Sequence, residues 1–174
     1  MRGSQAAEEA ERQNAYAGAY GATRLLMAYL KAVAEQQGLA EALRLLAEVA
    51  EATGRARGAV LAERLKARGG DALEAAAVFA AFLRGTGLEV QLEEAVPFRA
   101  VASVTHRCPV FAAAAEEGLP GAEVCRHLCQ ILGPALVRAV NPDLDFVQTH
   151  TRRSQGESCQ AVITHLSWRG MEQV

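Results

Sequence analysis

Aromatic residues and long apolar runs are both scarce in this 174-residue sequence. Phe, Trp and Tyr together make up only 5% of the chain. The longest apolar runs, such as residues 75–83, fall well short of the roughly 20 residues that a membrane-spanning helix needs. The N-terminus also lacks the apolar stretch and small-residue cleavage site of a signal peptide. The sequence therefore predicts a cytoplasmic protein that does not contact a membrane.

An excess of positive charge is missing as well. The 18 Lys and Arg residues stand against 20 Asp and Glu residues, whereas proteins that bind the phosphate backbone are usually basic. The sequence contains no GxSxG, HExxH or P-loop pattern and no GxGxxG between a strand and a helix. These absences argue against nucleic-acid binding and against the common hydrolase and nucleotide-binding classes.

Hydrophobic residues nevertheless make up 51% of the chain, which is enough for one core and predicts a single domain over residues 1–174. Alanine is frequent, and its small side chain favours closely packed helices. A helical N-terminal segment is predicted over residues 5–86. The second of its helices is expected to stop at Gly54, and Asp71 is expected to cap the last. The predicted helices span residues 5–37, 39–53 and 59–67, and a fourth runs from the Asp71 cap to an end near residues 85–87.

After residue 87 the hydrophobic period changes from that of a helix to that of a strand. Leu88, Val90 and Leu92 alternate with polar residues. This segment, residues 88–168, is predicted to hold strands from residue 88 and over 98–106, helices over 109–117 and 121–140, and strands over 144–151 and 159–168. Gly133 and Pro134 are expected to kink or restart the second helix. The predicted fold class is α+β, with the helical N-terminal half packed on a β-β-α-α-β-β unit that has an antiparallel sheet.

All four cysteines lie in the second segment. Cys125 and Cys129 are four residues apart on a predicted helix, so their side chains share one face and can meet in one pocket. Cys108 directly precedes Pro109 at a strand-to-helix junction, where helix N-terminal amides favour a thiolate. Cys159 opens the last strand. The alternative for all four is that they are small buried hydrophobic residues without chemistry.

Three polar side chains are candidates to assist these thiols. His106 shares strand parity with Cys108 and can act as its base, or it can be a strand-end residue bonded to the backbone. His150 and Arg152 share parity at the end of the last hairpin, where they can bind a carboxylate or form a solvated rim. His127 is expected to point away from its cysteine neighbours, because it lies two positions from each on the helix.

Metal binding is a further alternative for the thiols. The cysteine spacing matches none of the close-paired zinc-ribbon patterns. A zinc or other transition-metal site would therefore have Cys108, Cys125 and Cys129 at its centre. No cofactor is required by the sequence alone.

Four short elements, taken in order, resemble a known family. The C-terminal part is similar to the L-2-amino-thiazoline-4-carboxylic acid hydrolase family. The elements are His-Arg-Cys-Pro at residues 106–109, Cys125 with Cys129, Asn-Pro-Asp-Leu-Asp-Phe at residues 141–146 and Gly-Glu-Ser-Cys at residues 156–159. The resemblance implies hydrolytic opening of a small cyclic amidine that carries a carboxylate. For this reaction we assign Cys108 as nucleophile or metal ligand, Cys125 and Cys129 as its partners, His106 as base, Cys159 as a wall of the substrate site, and Arg152 with His150 as carboxylate anchor.

The Gly-Glu-Ser-Cys turn also resembles that of small-ligand-binding domains of the vinyl-reductase type. Some of those domains hold zinc on this hairpin, where the present chain offers Gln148 and Thr151 instead. A non-enzymatic sensor of a small ligand or metal is thus the competing interpretation. Both interpretations predict a small-molecule partner, and both leave a homo-oligomer open.

Overall fold

The computed structural model describes residues 2–105 and 107–167, with side chains described from residue 5 onward. Its four strands form one antiparallel sheet in the order β1-β2-β4-β3. This confirms the predicted α+β fold with its helical N-terminal half. The helices are α1 (Arg2–Gln37), α2 (Leu39–Leu65), α3 (Ala72–Arg84), α4 (Pro109–Glu116) and α5 (Gly121–Arg138), and the strands are β1 (Glu89–Val96), β2 (Arg99–Thr105), β3 (Leu144–His150) and β4 (Cys159–His165). No helix within the described ranges is long and apolar enough to cross a membrane.

The inner face of the sheet packs against α3 and α5 and forms the larger core. On the central strand β2, Ala100, Ala102 and Val104 alternate toward this core and are buried. Their partners on β4 are Ile163, Ala161 and Cys159 in the same register. Because the inner side chains of β2 are small, the helices approach the sheet closely.

A second core joins the helical half to the rest of the domain. It lies among α1, α2, α4 and α5 and is built around buried Met27, Leu43 and Val124. Asp71 caps α3 as predicted, because its side chain accepts a hydrogen bond from the Glu74 N–H at 2.8 Å. The sequence pattern therefore located the start of this helix correctly.

The prediction that a helix stops at Gly54 is wrong. Helix α2 is continuous over Leu39–Leu65. Gly54 and Gly58 lie one turn apart and face α5: a Cβ atom on Gly54 would lie 2.6 Å from the Leu132 carbonyl oxygen, and one on Gly58 would lie 2.5 Å from that of Leu136. These glycines serve close packing of two helices rather than helix termination.

Helix α5 is likewise continuous, with Pro134 inside it. Gly133, which precedes this proline, lies against Phe146 of β3, and a Cβ atom at residue 133 would lie 2.6 Å from the Phe146 ring. The helix thus does not restart here. The missing side chain instead makes room for an aromatic ring of the core.

Substitution of the α2 glycines tests the helix crossing. We expect Gly54→Ala and Gly58→Ala each to lower the free energy of unfolding by about 1–3 kcal/mol, because each added methyl meets a backbone carbonyl that cannot turn aside. Gly21→Ala on the exposed side of α1 is the matched control, since nothing lies within 4 Å of its Cβ position. That control should raise the free energy by about 0.5–1 kcal/mol. Urea denaturation gives all three values. A gain in the free energy of unfolding for the α2 variants equal to that for Gly21→Ala would contradict the packing argument.

Candidate active site

An internal cavity of about 210 Å³ lies between the inner face of the sheet and the helices. Its wall is mainly apolar and includes Phe79, Leu132 and Phe146. All four cysteines also line it, although they come from two separate elements, α5 and β4, and from the junction before α4. The fold therefore brings together thiols that are up to 51 positions apart (159 minus 108) in the sequence.

Each cysteine reaches the cavity for a local reason. Cys108 caps α4 in an extended conformation and is buried. Cys125 and Cys129 lie one turn apart on α5, so they share the face that α5 turns toward the sheet. Cys159 occupies an inner-face position of β4, opposite Val104.

Arg152 is the largest fully buried side chain of the described residues, with 1% of its surface exposed. Its Nη2 atom lies 3.4 Å from the Val104 carbonyl oxygen and 3.8 Å from the Cys159 sulfur. It lines the cavity, and none of the other described lining residues is acidic. The hairpin composition did not indicate this burial, because arginine near a turn is usually exposed.

Cys125 and Cys129 have opposite acid–base behaviour. The pKa of the Cys125 thiol is lowered, chiefly because the Cys129 thiol donates a hydrogen bond to it and also because the Arg152 guanidinium is near. The same hydrogen bond, together with burial, raises the pKa of Cys129 well above its ordinary value. The two thiols therefore titrate as one coupled pair.

Cys108 differs from the expectation for a helix N-terminus. Burial raises the pKa of its thiol and outweighs the backbone N–H groups of Phe111 and Val110, which act in the opposite direction. Burial also raises the pKa of Cys159, against the opposing hydrogen bond from Arg152. Of the four thiols, Cys125 alone has a lowered pKa.

Gln155 fixes the backbone of Cys108 from the hairpin loop. Its Oε1 accepts a hydrogen bond from the Cys108 N–H at 3.3 Å, and its Nε2 donates one to the Cys108 carbonyl at 3.4 Å. Sequence reasoning missed this residue, because the loop composition indicated only a turn. A glutamine pairing with a backbone 47 positions away has no local sequence signal.

Gln148 is a second polar residue that sequence reasoning did not place in the site. It lies on the inner face of β3 opposite Ala161 and lines the cavity. Its Oε1 atom is buried and accepts no hydrogen bond from the residues that the structure describes. Gln148 lies two residues after Phe146, and side chains two residues apart on a strand point to the same face. This spacing was the one sequence signal that could have placed Gln148 on the inner face.

Of the two predicted site histidines, His150 does not line the cavity with the thiols. His106 lies outside the described residues. His150 is exposed and pairs with outer-face Gln160, because a register shift between Gln148 and His150 reverses the side on which it lies. Strand parity predicted that His150 shares a face with Arg152. The register shift instead places His150 on the outer face. The His127 ring instead bonds to the Glu123 carbonyl at 2.9 Å on α5.

The described part of the chain holds no group of three or more His, Cys, Asp or Glu side chains arranged to bind a metal ion. The metal role predicted for Cys108, Cys125 and Cys129 thus receives no support from this geometry. The same three thiols line one cavity without forming such a group.

An open cleft of about 760 Å³ adjoins the cavity, and Leu88 lines both spaces. Tyr16, Arg107 and Gln155 are among its lining residues. Burial raises the pKa of the Tyr16 hydroxyl, and the nearby Cys108 thiol adds to this effect. Polar side chains therefore line the cleft just outside the thiol-lined cavity, near Cys108 at the N-terminus of α4.

The fold and cavity define an α+β protein with a small, thiol-lined internal site. The family model described as L-2-amino-thiazoline-4-carboxylic acid hydrolase matches residues 20–162, which is well over half of the chain. The protein belongs to this family, and a hydrolase-like function follows at the family level. The matched range contains all four cysteines, Gln148 and Arg152. The comparison with curated proteins finds no match, and the similarity to vinyl-reductase-type domains is not shown.

The order of thiol ionisation can be measured directly. We expect the ultraviolet absorbance of thiolate to rise with pH in a first step that lies below the ordinary pKa of a cysteine thiol. Cys125→Ser should remove this first step, because it removes the thiol whose pKa is lowered. Cys108→Ser is the matched control and should leave the step in place, since the pKa of Cys108 is raised. An early step that survives in the Cys125→Ser protein would contradict the assignment.

Proposed function

We propose that the protein hydrolyses a small cyclic amidine that carries a carboxylate, of the 2-amino-thiazoline-carboxylate kind, at a carbon–nitrogen bond. One observation carries the proposal: a buried guanidinium and a thiol with a lowered pKa line the same small cavity. A buried cation favours an anionic ligand group, and a thiolate is the reactive form of cysteine.

The cavity size supports a small substrate. Its volume of about 210 Å³ is below the range of about 300–1,000 Å³ that is typical of sites for drug-sized ligands. A single five-membered ring with two short substituents suits such a space, whereas a peptide does not. The apolar wall around Phe79 and Phe146 suits the faces of the ring.

The chemistry can be divided among three side chains. Arg152 binds the substrate carboxylate and orients the ring. The Cys125 thiolate adds to the amidine carbon, and the C=N electron pair moves to the ring nitrogen, which takes a proton. The ring opens when this nitrogen leaves as an amine, and water then adds to the same carbon and releases the Cys125 thiol.

Cys129 is the proton donor of this scheme. Its raised pKa keeps the thiol protonated, and it lies beside Cys125, where the departing nitrogen needs a proton. Cys108 and Cys159, whose pKa values are both raised, form thiol walls of the pocket. We place the enzyme in the cytoplasm, where four free cysteines remain reduced.

Turnover of 2-amino-thiazoline-4-carboxylate tests the proposal. We expect the purified protein to open this ring, and Cys125→Ala to lower kcat by about a thousandfold or more, because the attacking atom is lost. Cys108→Ala should retain most of the turnover, since it removes a wall rather than the nucleophile. Liquid chromatography of the ring-opened product measures both.

Two outcomes would redirect this assignment. If Cys108→Ala abolishes turnover while Cys125→Ala does not, the nucleophile is Cys108, as assigned from the sequence. If the wild-type protein binds the compound without forming product, the domain is a ligand sensor. Metal analysis of the same preparations tests whether the thiols bind a metal ion instead.

The pH dependence of kcat/KM tests the contribution of Cys129 to the lowered pKa of Cys125. Thiolate forms as pH rises, so kcat/KM should increase through the pKa of Cys125, which lies below its ordinary value. Cys129→Ala removes the hydrogen-bond donor and should move this rise to higher pH. Cys129→Ser keeps a donor and should move it less. Identical profiles for the alanine and serine variants would show that the donated hydrogen bond does not set the pKa.

A further inference from the structure

The buried oxygen of Gln148 lies in the cavity wall without a donor from any described residue. Buried polar atoms in folded proteins almost always have a hydrogen-bond partner, so an acceptor left open at a cavity indicates a donor that enters with the ligand. Its inner-face neighbours on the sheet, Phe146 and Ala161, have no side-chain donor.

Gln148 lines the cavity from the inner face of β3, and Arg152 lines it from the segment that follows this strand. Gln148 pairs with Ala161, and Ala161 and Cys159 are successive inner-face residues of β4. Such residues lie about 7 Å apart along a strand. The guanidinium of Arg152 lies 3.8 Å from the Cys159 sulfur. A cation and a hydrogen-bond acceptor therefore line the same small cavity.

We propose that Gln148 is a specificity-determining residue whose Oε1 accepts a hydrogen bond from an N–H group of the ligand while Arg152 binds the ligand carboxylate. The site then selects small rings that carry a carboxylate on one side and an N–H donor on the other. An analogue without the donor leaves the Gln148 oxygen unpaired and binds less tightly. The inference deepens the proposed function and rests on it for the ligand class, but the recognition itself requires no turnover.

Equilibrium binding separates this recognition from hydrolysis. Calorimetry on the Cys125→Ser protein, which lacks the proposed nucleophile, uses two probes: 2-amino-thiazoline-4-carboxylate and the same ring without its amino group. We expect the amino compound to bind about tenfold more tightly, the effect of one buried hydrogen bond. Gln148→Met, which keeps the bulk and loses the acceptor, should reduce this ratio to near one. Gln148→Glu, which keeps an acceptor, should preserve the preference even where affinity for both probes falls.

A matched control is Gln91→Leu, which changes an exposed glutamine on β1 and should leave both affinities unchanged. Because the measured quantity is a ratio between two ligands, a general loss of stability in the Met variant does not imitate the expected result. An unchanged ratio in Gln148→Met overturns the proposal. Binding with the expected ratios but without product from the wild-type protein overturns hydrolysis alone, and failure of both probes to bind overturns the two proposals together.

Discussion

The close crossing of α2 and α5 is the constraint on which the site depends. Gly54 and Gly58 bring the α2 backbone against Leu132 and Leu136 of α5 with no side chain between them. On the opposite side of α5, Gly133 admits the Phe146 ring. The helix is thus held from both sides by contacts in which a single methyl group would not fit. Since α5 carries the two adjacent cysteines, the same contacts set the distance between those thiols and the sheet.

The electrostatics of the cavity follow from this placement. Burial disfavours every thiolate in the site. Only Cys125 overcomes that penalty, because it has both a donated hydrogen bond from Cys129 and the charge of Arg152. Cys108 is near the same arginine and has backbone N–H groups as well, yet its pKa stays raised. The decisive difference is the neighbouring thiol one helical turn away.

The sequence was sufficient for features set by local periodicity. The strand alternation at the start of β1, the Asp71 cap and the shared face of Cys125 and Cys129 are all consequences of residues a few positions apart. It was insufficient where the partner is distant in the chain. Gly54 looks like a helix stop until α5 lies against it, and a register shift in β3 separates His150 from the cavity that Arg152 enters. The pairing of Gln155 with Cys108 likewise appears only when the hairpin is folded over α4.

In the mechanism that we propose, substrate binding changes the balance of forces on Cys125. A carboxylate that pairs with Arg152 neutralises much of the charge that helps to lower the pKa of Cys125. The hydrogen bond from Cys129 is unaffected by that pairing, and it is the larger of the two stabilising effects. The thiolate can therefore persist in the complex only because its main support comes from a neutral donor. A site with arginine alone would bind the carboxylate and, in doing so, return the proton to the nucleophile. The second cysteine of α5 removes this conflict, since it stabilises the thiolate before substrate binds and retains a proton for the departing nitrogen afterwards.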